Sequence, residues 1–164
     1  HLAALMQNKG QLIAMDIFPY KLNELKKRAK RAGAFNIETR LIEGKKSIKK
    51  LKQSADRVLI DAPCSGLGVL KRNPDAKWKL QPEHLDKLKE TQQQLLQDYS
   101  VMLKPGGKLV YATCSILPQE NEKQVEIFLK SPAGQSFKCT NQKTLYAHKN
   151  GYDGFFMAQF EHQI

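Results

Sequence analysis

Two cysteines directly follow strand-like segments, in a setting that favours covalent chemistry. Cys64 ends the run Asp61-Ala62-Pro63-Cys64, and Cys114 is the centre of Thr113-Cys114-Ser115. A helix predicted to begin near residues 119–120 would direct its positive end toward Cys114, and this would lower the pKa of the thiol. A lone cysteine is more often a small buried hydrophobe. A second cysteine in the same setting favours a shared site instead.

Asp61 is the third group that we expect at this site. In a parallel sheet the carboxyl ends of neighbouring strands face one crevice, so Asp61, Cys64 and Cys114 should converge there. Two thiols and a carboxylate suit a reaction in which addition, proton donation and proton abstraction use separate groups. A redox pair fits less well, because neither thiol lies in a Cys-x-x-Cys turn.

The segments around these residues alternate between strand and helix patterns. A buried strand over residues 11–15 ends on Asp16, and a helix follows from Pro19 to Gly33 with Leu22, Leu25 and Ala29 on one side. Further strands are predicted over residues 37–42, 57–61 and 108–113, and the second of these is expected to be buried like the strand over 11–15. Helices are predicted over residues 45–52, 82–103 and 121–130, the last with Gln124, Ile127 and Phe128 on one side. A turn is predicted at 104–107, and residues 136–139 and 155–160 would form a closing antiparallel hairpin. This order predicts a largely parallel α/β sheet.

Composition and charge narrow the classes of partner. The 164 residues include 27 Lys and Arg against 16 Asp and Glu, a net charge of +11 that favours nucleic acid. Solvated helix faces are the alternative explanation for any one basic cluster. No apolar run approaches the ~20 residues that cross a bilayer, so no membrane is expected. Three cysteines without zinc spacing predict no metal site and no disulfide framework, as in a reducing cytoplasm.

Several motifs, taken together, carry a resemblance to a known family. They are Arg57-Val58-Leu59-Ile60-Asp61-Ala62-Pro63-Cys64-Ser65-Gly66-Leu67-Gly68, Arg72-Asn73-Pro74-Asp75, Lys77-Trp78, Leu103-Lys104-Pro105-Gly106-Gly107, Tyr111-Ala112-Thr113-Cys114-Ser115 and Glu120-Asn121-Glu122. They resemble the RNA 5-methylcytosine methyltransferases, and most closely the bacterial Sun or Fmu enzymes that methylate 16S ribosomal RNA. The likeness extends from Asp16 to Phe156.

The resemblance implies a fold, a cofactor and a reaction. The implied fold is the Rossmann-like fold of class I S-adenosylmethionine-dependent methyltransferases. It contains a mostly parallel sheet with a C-terminal antiparallel hairpin. In such enzymes a thiolate adds to C6 of cytosine, which makes C5 able to accept a methyl group. By match to the family motifs, Cys114 is the nucleophile and Cys64 assists loss of the C5 proton and product release. Asp61 interacts with the N3/N4 edge of cytosine, a role that calls for burial and a raised pKa.

Further residues are implied to bind the cofactor and the RNA. Asp16 corresponds to the family acid at the ribose hydroxyls, and Asp61 and Pro63 border the same cofactor. Glu43 stands where many relatives carry an Asp near the adenine, so it replaces that acid or the contact is absent. The RNA-contacting loop corresponds to Lys71, Arg72, Asn73 and Lys77, with Trp78 as a stacking or a packing residue. The target cytosine must be flipped out or single-stranded.

The chain also departs from the family at its start. The family's first strand, its glycine-rich cofactor loop and an N-terminal RNA-binding region are not found in residues 1–164. The chain is therefore interpreted as a partial catalytic domain, and we expect it to be at best weakly active on its own.

Two other functions remain open at this point. A DNA cytosine-5 methyltransferase would use the Pro-Cys cysteine, here Cys64, as its nucleophile. An RNA-binding remnant would keep the basic surface without catalysis.

Overall fold

The computed structural model describes residues 1–163 and contains two compact units, which meet in sequence after Lys50. The first unit contains α1 (Leu2–Leu5), β1 (Leu12–Asp16), α2 (Pro19–Arg31), β2 (Ile37–Leu41) and α3 (Lys45–Lys49). The second contains β3 (Ala55–Asp61), α4 (Ala76–Lys79), α5 (Pro82–Ser100), β4 (Leu103–Thr113), α6 (Glu122–Lys130), β5 (Phe137–Leu145), α7 (Ala147–Asn150) and β6 (Phe155–His162). Within the described residues, none of these helices has the length and apolar character that a membrane crossing needs.

The first unit is built around a β-α-β arrangement. Strands β1 and β2 are parallel, with register from Leu12 opposite Ile37 to Asp16 opposite Leu41. Helix α2 begins with Pro19, whose missing N–H costs nothing in a first turn. It ends just before Gly33, whose φ of +63° suits the left-handed residue that closes a helix. The predicted inward side of α2 is confirmed, because Leu22 is buried and Leu25 and Ala29 are half-buried.

The second unit contains a four-stranded sheet in the order β3-β4-β6-β5. Strands β3 and β4 are parallel, whereas β6 is antiparallel to both β4 and β5. The predicted α/β class with a C-terminal antiparallel hairpin is confirmed. Strand β5 is longer than the predicted residues 136–139 because it keeps pairing with β6 as far as Leu145 opposite Phe155. The parallel pair brings Asp61 opposite Ala112 at the carboxyl ends of β3 and β4.

An aromatic core holds β4 and β6 under helix α6. Phe128 of α6 is fully buried and packs edge-on against Phe160, with ring centroids 5.4 Å apart. Tyr111 and Phe156 are also fully buried, with centroids 6.3 Å apart. Fully burying one large apolar side chain contributes about 1.5–3 kcal/mol. The central strand β4 is therefore firmly fixed, including its end beside Cys114.

Three local predictions differ from the structure. Helix α5 ends at Ser100, three residues earlier than predicted. The turn at 104–107 interrupts β4 instead of preceding it, because Leu103 already pairs with Ala55 and the pairing resumes between Lys108 and Arg57. On α6 the buried positions include Val125, whereas Ile127 is 50% exposed. Strand β3 alternates instead of being buried throughout, since Leu59 is 54% exposed between two buried neighbours.

Candidate active site

The two predicted site cysteines lie against each other. The backbone N–H of Ala62 donates to Ala112 O at 2.9 Å, so the parallel pairing continues one residue past β3. The chain then turns, and the Sγ of Cys64 comes within 3.3 Å of the Sγ of Cys114. Both side chains are half-buried. The predicted convergence of the two thiols is confirmed.

The two thiols differ in acidity. A hydrogen bond from the Cys64 thiol lowers the pKa of Cys114 to about 7, against the opposing effects of burial and of negative charge on Asp61 and Glu120. The same hydrogen bond, together with burial, raises the pKa of Cys64. A thiolate is the nucleophilic form of cysteine, and of the two thiols Cys114 is the one that ionises more readily. The sequence predicted this direction for Cys114 but assigned it to a helix end, whereas the neighbouring thiol is the main cause.

Asp61 lies at the end of β3, close enough for its charge to act on Cys114. Its side chain is exposed. The predicted burial of this carboxylate is therefore wrong: β3 alternates, and Asp61 falls on the same open side as Leu59.

A fully buried carboxylate joins the two cysteine loops. Glu120 Oε1 accepts hydrogen bonds from the Ser65 backbone N–H at 2.8 Å and from Gln92 Nε2 at 3.0 Å. Glu120 Oε2 accepts from the Ser65 hydroxyl at 2.6 Å and from the Ser115 hydroxyl. The two serines are the residues immediately after Cys64 and Cys114. The sequence offered Glu120 as part of a motif but gave no role for it.

The Cys114 loop has a second set of buried partners. The Thr113 hydroxyl donates to Asn121 Oδ1 at 2.6 Å, and Asn121 Nδ2 donates to the Ser115 carbonyl at 3.0 Å. The Tyr111 hydroxyl donates to the Glu120 carbonyl at 2.7 Å, and burial raises the pKa of this phenol. These bonds fix the path of the chain from the end of β4 to the start of α6.

The loop after Cys64 is also tied to the Cys114 loop by backbone contacts. Gly68 N–H donates to Cys114 O at 2.9 Å, and Gly154 N–H donates to Gly68 O at 2.7 Å. A Cβ on Gly68 would collide with the Gly154 carbonyl and lie 2.8 Å from Cys114 O. Only glycine permits this close approach of three backbone segments.

The cofactor-side residues fall in both units. In the first unit Asp16 and Glu43 come at or just after the carboxyl ends of β1 and β2, at one edge of that pair. Asp16 Oδ1 accepts from the Phe18 N–H at 2.9 Å, and Oδ2 lies 3.5 Å from Lys21 Nζ. In the second unit the Pro63 carbonyl accepts from Gln92 Nε2 at 2.9 Å. Among residues 1–163 no group of three or more His, Cys, Asp or Glu side chains is arranged to hold a metal ion.

The predicted RNA-contacting residues are exposed on α4 and on the loop that leads into it. They are Lys71, Arg72, Asn73 and Lys77. Arg72 pairs with Asp153 at 2.8 Å, a contact that the sequence did not predict. Trp78 is 76% exposed, with Lys77 Nζ 4.8 Å from the ring centroid. An exposed aromatic beside a cation is available for stacking and is not a core residue.

Comparisons with known proteins agree with this geometry. Residues 1–161 match the family model described as 16S rRNA methyltransferase RsmB/F. A Synechocystis protein named "Probable ribosomal RNA small subunit methyltransferase B" is 37% identical over 98% of this chain and 40% of its own length. The chain thus spans about 40% of the length of the first curated relatives that it matches.

Solved structures give the same result. The crystal structure of PH0851 superposes with a TM-score of 0.92 at 32% identity, covering 98% of this chain and 39% of the other. NSun6 from Pyrococcus horikoshii with SFG superposes with a TM-score of 0.87 at 27% identity, covering 99% of this chain and 44% of the other. These matches include both cysteine loops and the strands that position them, and the chain belongs to the 16S rRNA methyltransferase RsmB/F family.

Proposed function

We propose that this protein methylates C5 of a cytosine in RNA, namely 16S ribosomal RNA, through a covalent bond between Cys114 Sγ and cytosine C6. One observation carries the proposal: the two sulfurs are 3.3 Å apart, and Cys114 has a pKa of about 7 whereas the pKa of Cys64 is raised. Cys114 is therefore the thiol that ionises more readily near neutral pH, while Cys64 keeps its proton. The names of the curated relatives support the ribosomal substrate, and from that substrate we infer a cytoplasmic location.

The order of events follows from the coupling between the two thiols. The Cys114 thiolate attacks C6, the C5–C6 electron pair becomes available at C5, and Asp61 stabilises the N3/N4 edge by a proton or hydrogen bond. Once Cys114 Sγ is bonded to C6, it carries no negative charge and accepts only a weak hydrogen bond from the Cys64 thiol. The main cause that raised the pKa of Cys64 is then gone. Cys64 can then release its own proton to solvent and act as the base that removes the C5 proton once C5 has taken the methyl group. The C5–H electron pair re-forms the C5–C6 double bond, the C6–S bond breaks, and its electron pair restores the Cys114 thiolate.

The residues present fit S-adenosylmethionine, which supplies the methyl group when bound. A ribose diol is recognised by carboxylate acceptors at strand ends. Asp16 retains acceptor capacity, because each carboxylate oxygen has two lone pairs and only one is needed for the contact with Phe18 N–H or with Lys21. Glu43 is exposed near the same edge and would take the adenine side. Asp61 and Pro63 are the other two residues that the family resemblance implies at the cofactor. The likeness to NSun6 with SFG, an S-adenosylmethionine analogue, supports this assignment.

The distribution of charge supports RNA as the partner. Residues 1–50 contain twelve Lys and Arg against four Asp and Glu, a net of +8, whereas the rest contains fifteen against twelve, a net of +3. Most of the excess positive charge therefore lies outside the Lys71–Lys77 loop that the sequence motif pointed to. Phosphate contacts by basic side chains and stacking on Trp78 would hold RNA while the target cytosine is flipped out or already single-stranded.

Covalent capture on RNA that contains 5-fluorocytosine tests the proposal. The fluorine cannot leave as a proton does, so the adduct accumulates even when turnover is slow. We expect the chain, with saturating S-adenosylmethionine and fluorinated 16S ribosomal RNA, to form a complex that survives denaturing electrophoresis. Cys114→Ser should abolish the complex, and Cys64→Ala should retain it.

The other candidate functions give different outcomes in the same experiment. Capture that is lost in Cys64→Ala but kept in Cys114→Ser would mean that Cys64 attacks, as in a DNA cytosine-5 methyltransferase, and a fluorinated DNA duplex would then be the better substrate. RNA binding with a normal salt dependence but no capture by any form would mean that the chain is an RNA-binding remnant.

A further inference from the structure

We propose that Glu120 is a positioning residue that holds the Cys64 loop and the Cys114 loop together through one buried carboxylate. The inference depends on the proposed function for its purpose, but the contacts that carry it belong to this chain alone. Glu120 is fully buried, and each of its two carboxylate oxygens accepts two hydrogen bonds. The donors belong to the two loops and to helix α5. A buried carboxylate without partners would be very costly.

The pattern of donors shows what the carboxylate organises. Ser65 donates through both its backbone N–H and its hydroxyl, and Ser115 donates through its hydroxyl. Each serine is bonded through one peptide to the cysteine before it. A carboxylate that fixes both serines therefore limits how far the two sulfurs can move apart.

A third donor ties the same carboxylate to helix α5. Gln92 is fully buried and uses its Nε2 for both Glu120 Oε1 and the Pro63 carbonyl, which precedes Cys64. The Cys64 loop is thus held on both sides of the cysteine, by Pro63 and by Ser65. Charged hydrogen bonds are roughly twice as strong as neutral ones, so Glu120 is the group whose loss frees both loops.

Glu120 also acts on the reactive thiol through its charge. Negative charge on Glu120 raises the pKa of Cys114 against the lowering effect of Cys64. Replacing Glu120 by Gln keeps the shape and removes the charge. The new amide group can donate to the two serine hydroxyls, which rotate to accept, while its oxygen still accepts from the Ser65 N–H. Gln should therefore preserve the geometry and change the titration.

Two thiol measurements test this role without RNA or cofactor. The first is the rate at which diamide, a diazene oxidant, cross-links Cys64 and Cys114. The two thiols lose two electrons and two protons to form one S–S bond, and the diazene gains them to become a hydrazine. The second is the pH dependence of Cys114 alkylation by iodoacetamide, followed by peptide mass spectrometry. Because neither needs catalysis, failure of the RNA capture experiment would leave this test unaffected.

We expect Glu120→Ala to slow cross-linking about tenfold or more, the scale that the loss of a charged hydrogen bond predicts. Glu120→Gln should cross-link at close to the wild-type rate and should alkylate at Cys114 with a midpoint below about pH 7. Glu126→Gln, an exposed acid on α6, is the matched control and should change neither measurement.

Unchanged cross-linking and an unchanged Cys114 titration in Glu120→Ala would overturn the proposal. If Glu120→Ala does not fold, Ser65→Ala and Ser115→Ala test the proposal in its place. Each of these variants removes one loop's hydroxyl contact to the carboxylate. Wild-type cross-linking in both serine variants, with a wild-type titration in Glu120→Gln, would equally overturn it.

Discussion

The Cys64 loop and the Cys114 loop have the same local design but opposite chemistry. Each cysteine follows a parallel strand and is followed by a serine that donates to Glu120. Yet Cys114 accepts a hydrogen bond and has a pKa of about 7, whereas Cys64 donates it and its pKa is raised. Two similar loops thus differ in thiol acidity because their sulfurs touch. The difference belongs to the pair and not to either loop.

The largest effect is expected from separating the two loops. Gly68→Ala places a Cβ against the Gly154 carbonyl and 2.8 Å from Cys114 O, and backbone cannot move aside as a flexible side chain can. Overpacking of this kind costs about 1–3 kcal/mol, and the added strain should fall between the loops. We expect a lower free energy of unfolding in urea and slower diamide cross-linking of the two cysteines.

Gly151→Ala is the matched control for this variant. Gly151 has a positive φ, +73°, unlike Gly68, and nothing lies within 4 Å of the added Cβ. A left-handed residue costs about 1–2 kcal/mol on its own, without any change in cross-linking. Equal cross-linking rates in the two glycine variants would contradict the role given to Gly68.

The next effect tests the coupling itself. Cys64→Ala removes the hydrogen bond that is the main cause of the low pKa of Cys114. The midpoint of Cys114 alkylation should move upward from about pH 7, toward the ~8.5 of an ordinary cysteine. At pH 7 less of Cys114 is then thiolate. Mass spectrometry of the Cys114 peptide across a pH series measures the midpoint.

A substitution at the third cysteine serves as control for that series. Cys139 lies on β5 with its thiol near the Asn141 carbonyl, and Cys139→Ala should leave the Cys114 midpoint in place. A midpoint that stays near pH 7 in Cys64→Ala would show that some other group stabilises the thiolate.

The smallest effect concerns Asp61. Negative charge on Asp61 raises the pKa of Cys114, so Asp61→Asn should lower the alkylation midpoint slightly below about pH 7. The change is small because Asp61 is exposed and water screens its charge. Asp56→Asn removes an acid at the other end of β3, where it pairs with Lys104 at 2.8 Å. An identical shift in both variants would mean that net charge, and not position, causes it.

Part of the site could be read from local patterns, and part could not. The strand before Asp61 is a local feature, so its prediction succeeded. Glu120 belongs to a motif that the sequence analysis identified, but its role depends on a hydrogen bond from Ser65, which lies 55 positions earlier in the chain. Arg72 was predicted as an RNA contact, yet its pairing with Asp153 depends on a distant turn. The exposure of Asp61 and Ile127 was not predicted, because the buried side of a strand or helix depends on which other elements pack against it.

The sequence alone determined the residue types and their positions at strand ends, because strand, turn and helix signals act over a few neighbouring residues. It also determined the family, through two cysteine motifs in a fixed order. Only the tertiary structure decided that Cys64 and Cys114, 50 positions apart, meet at 3.3 Å. The opposite pKa values of the two thiols follow from that contact, since a hydrogen bond and a buried charge act through distance in space and not along the chain.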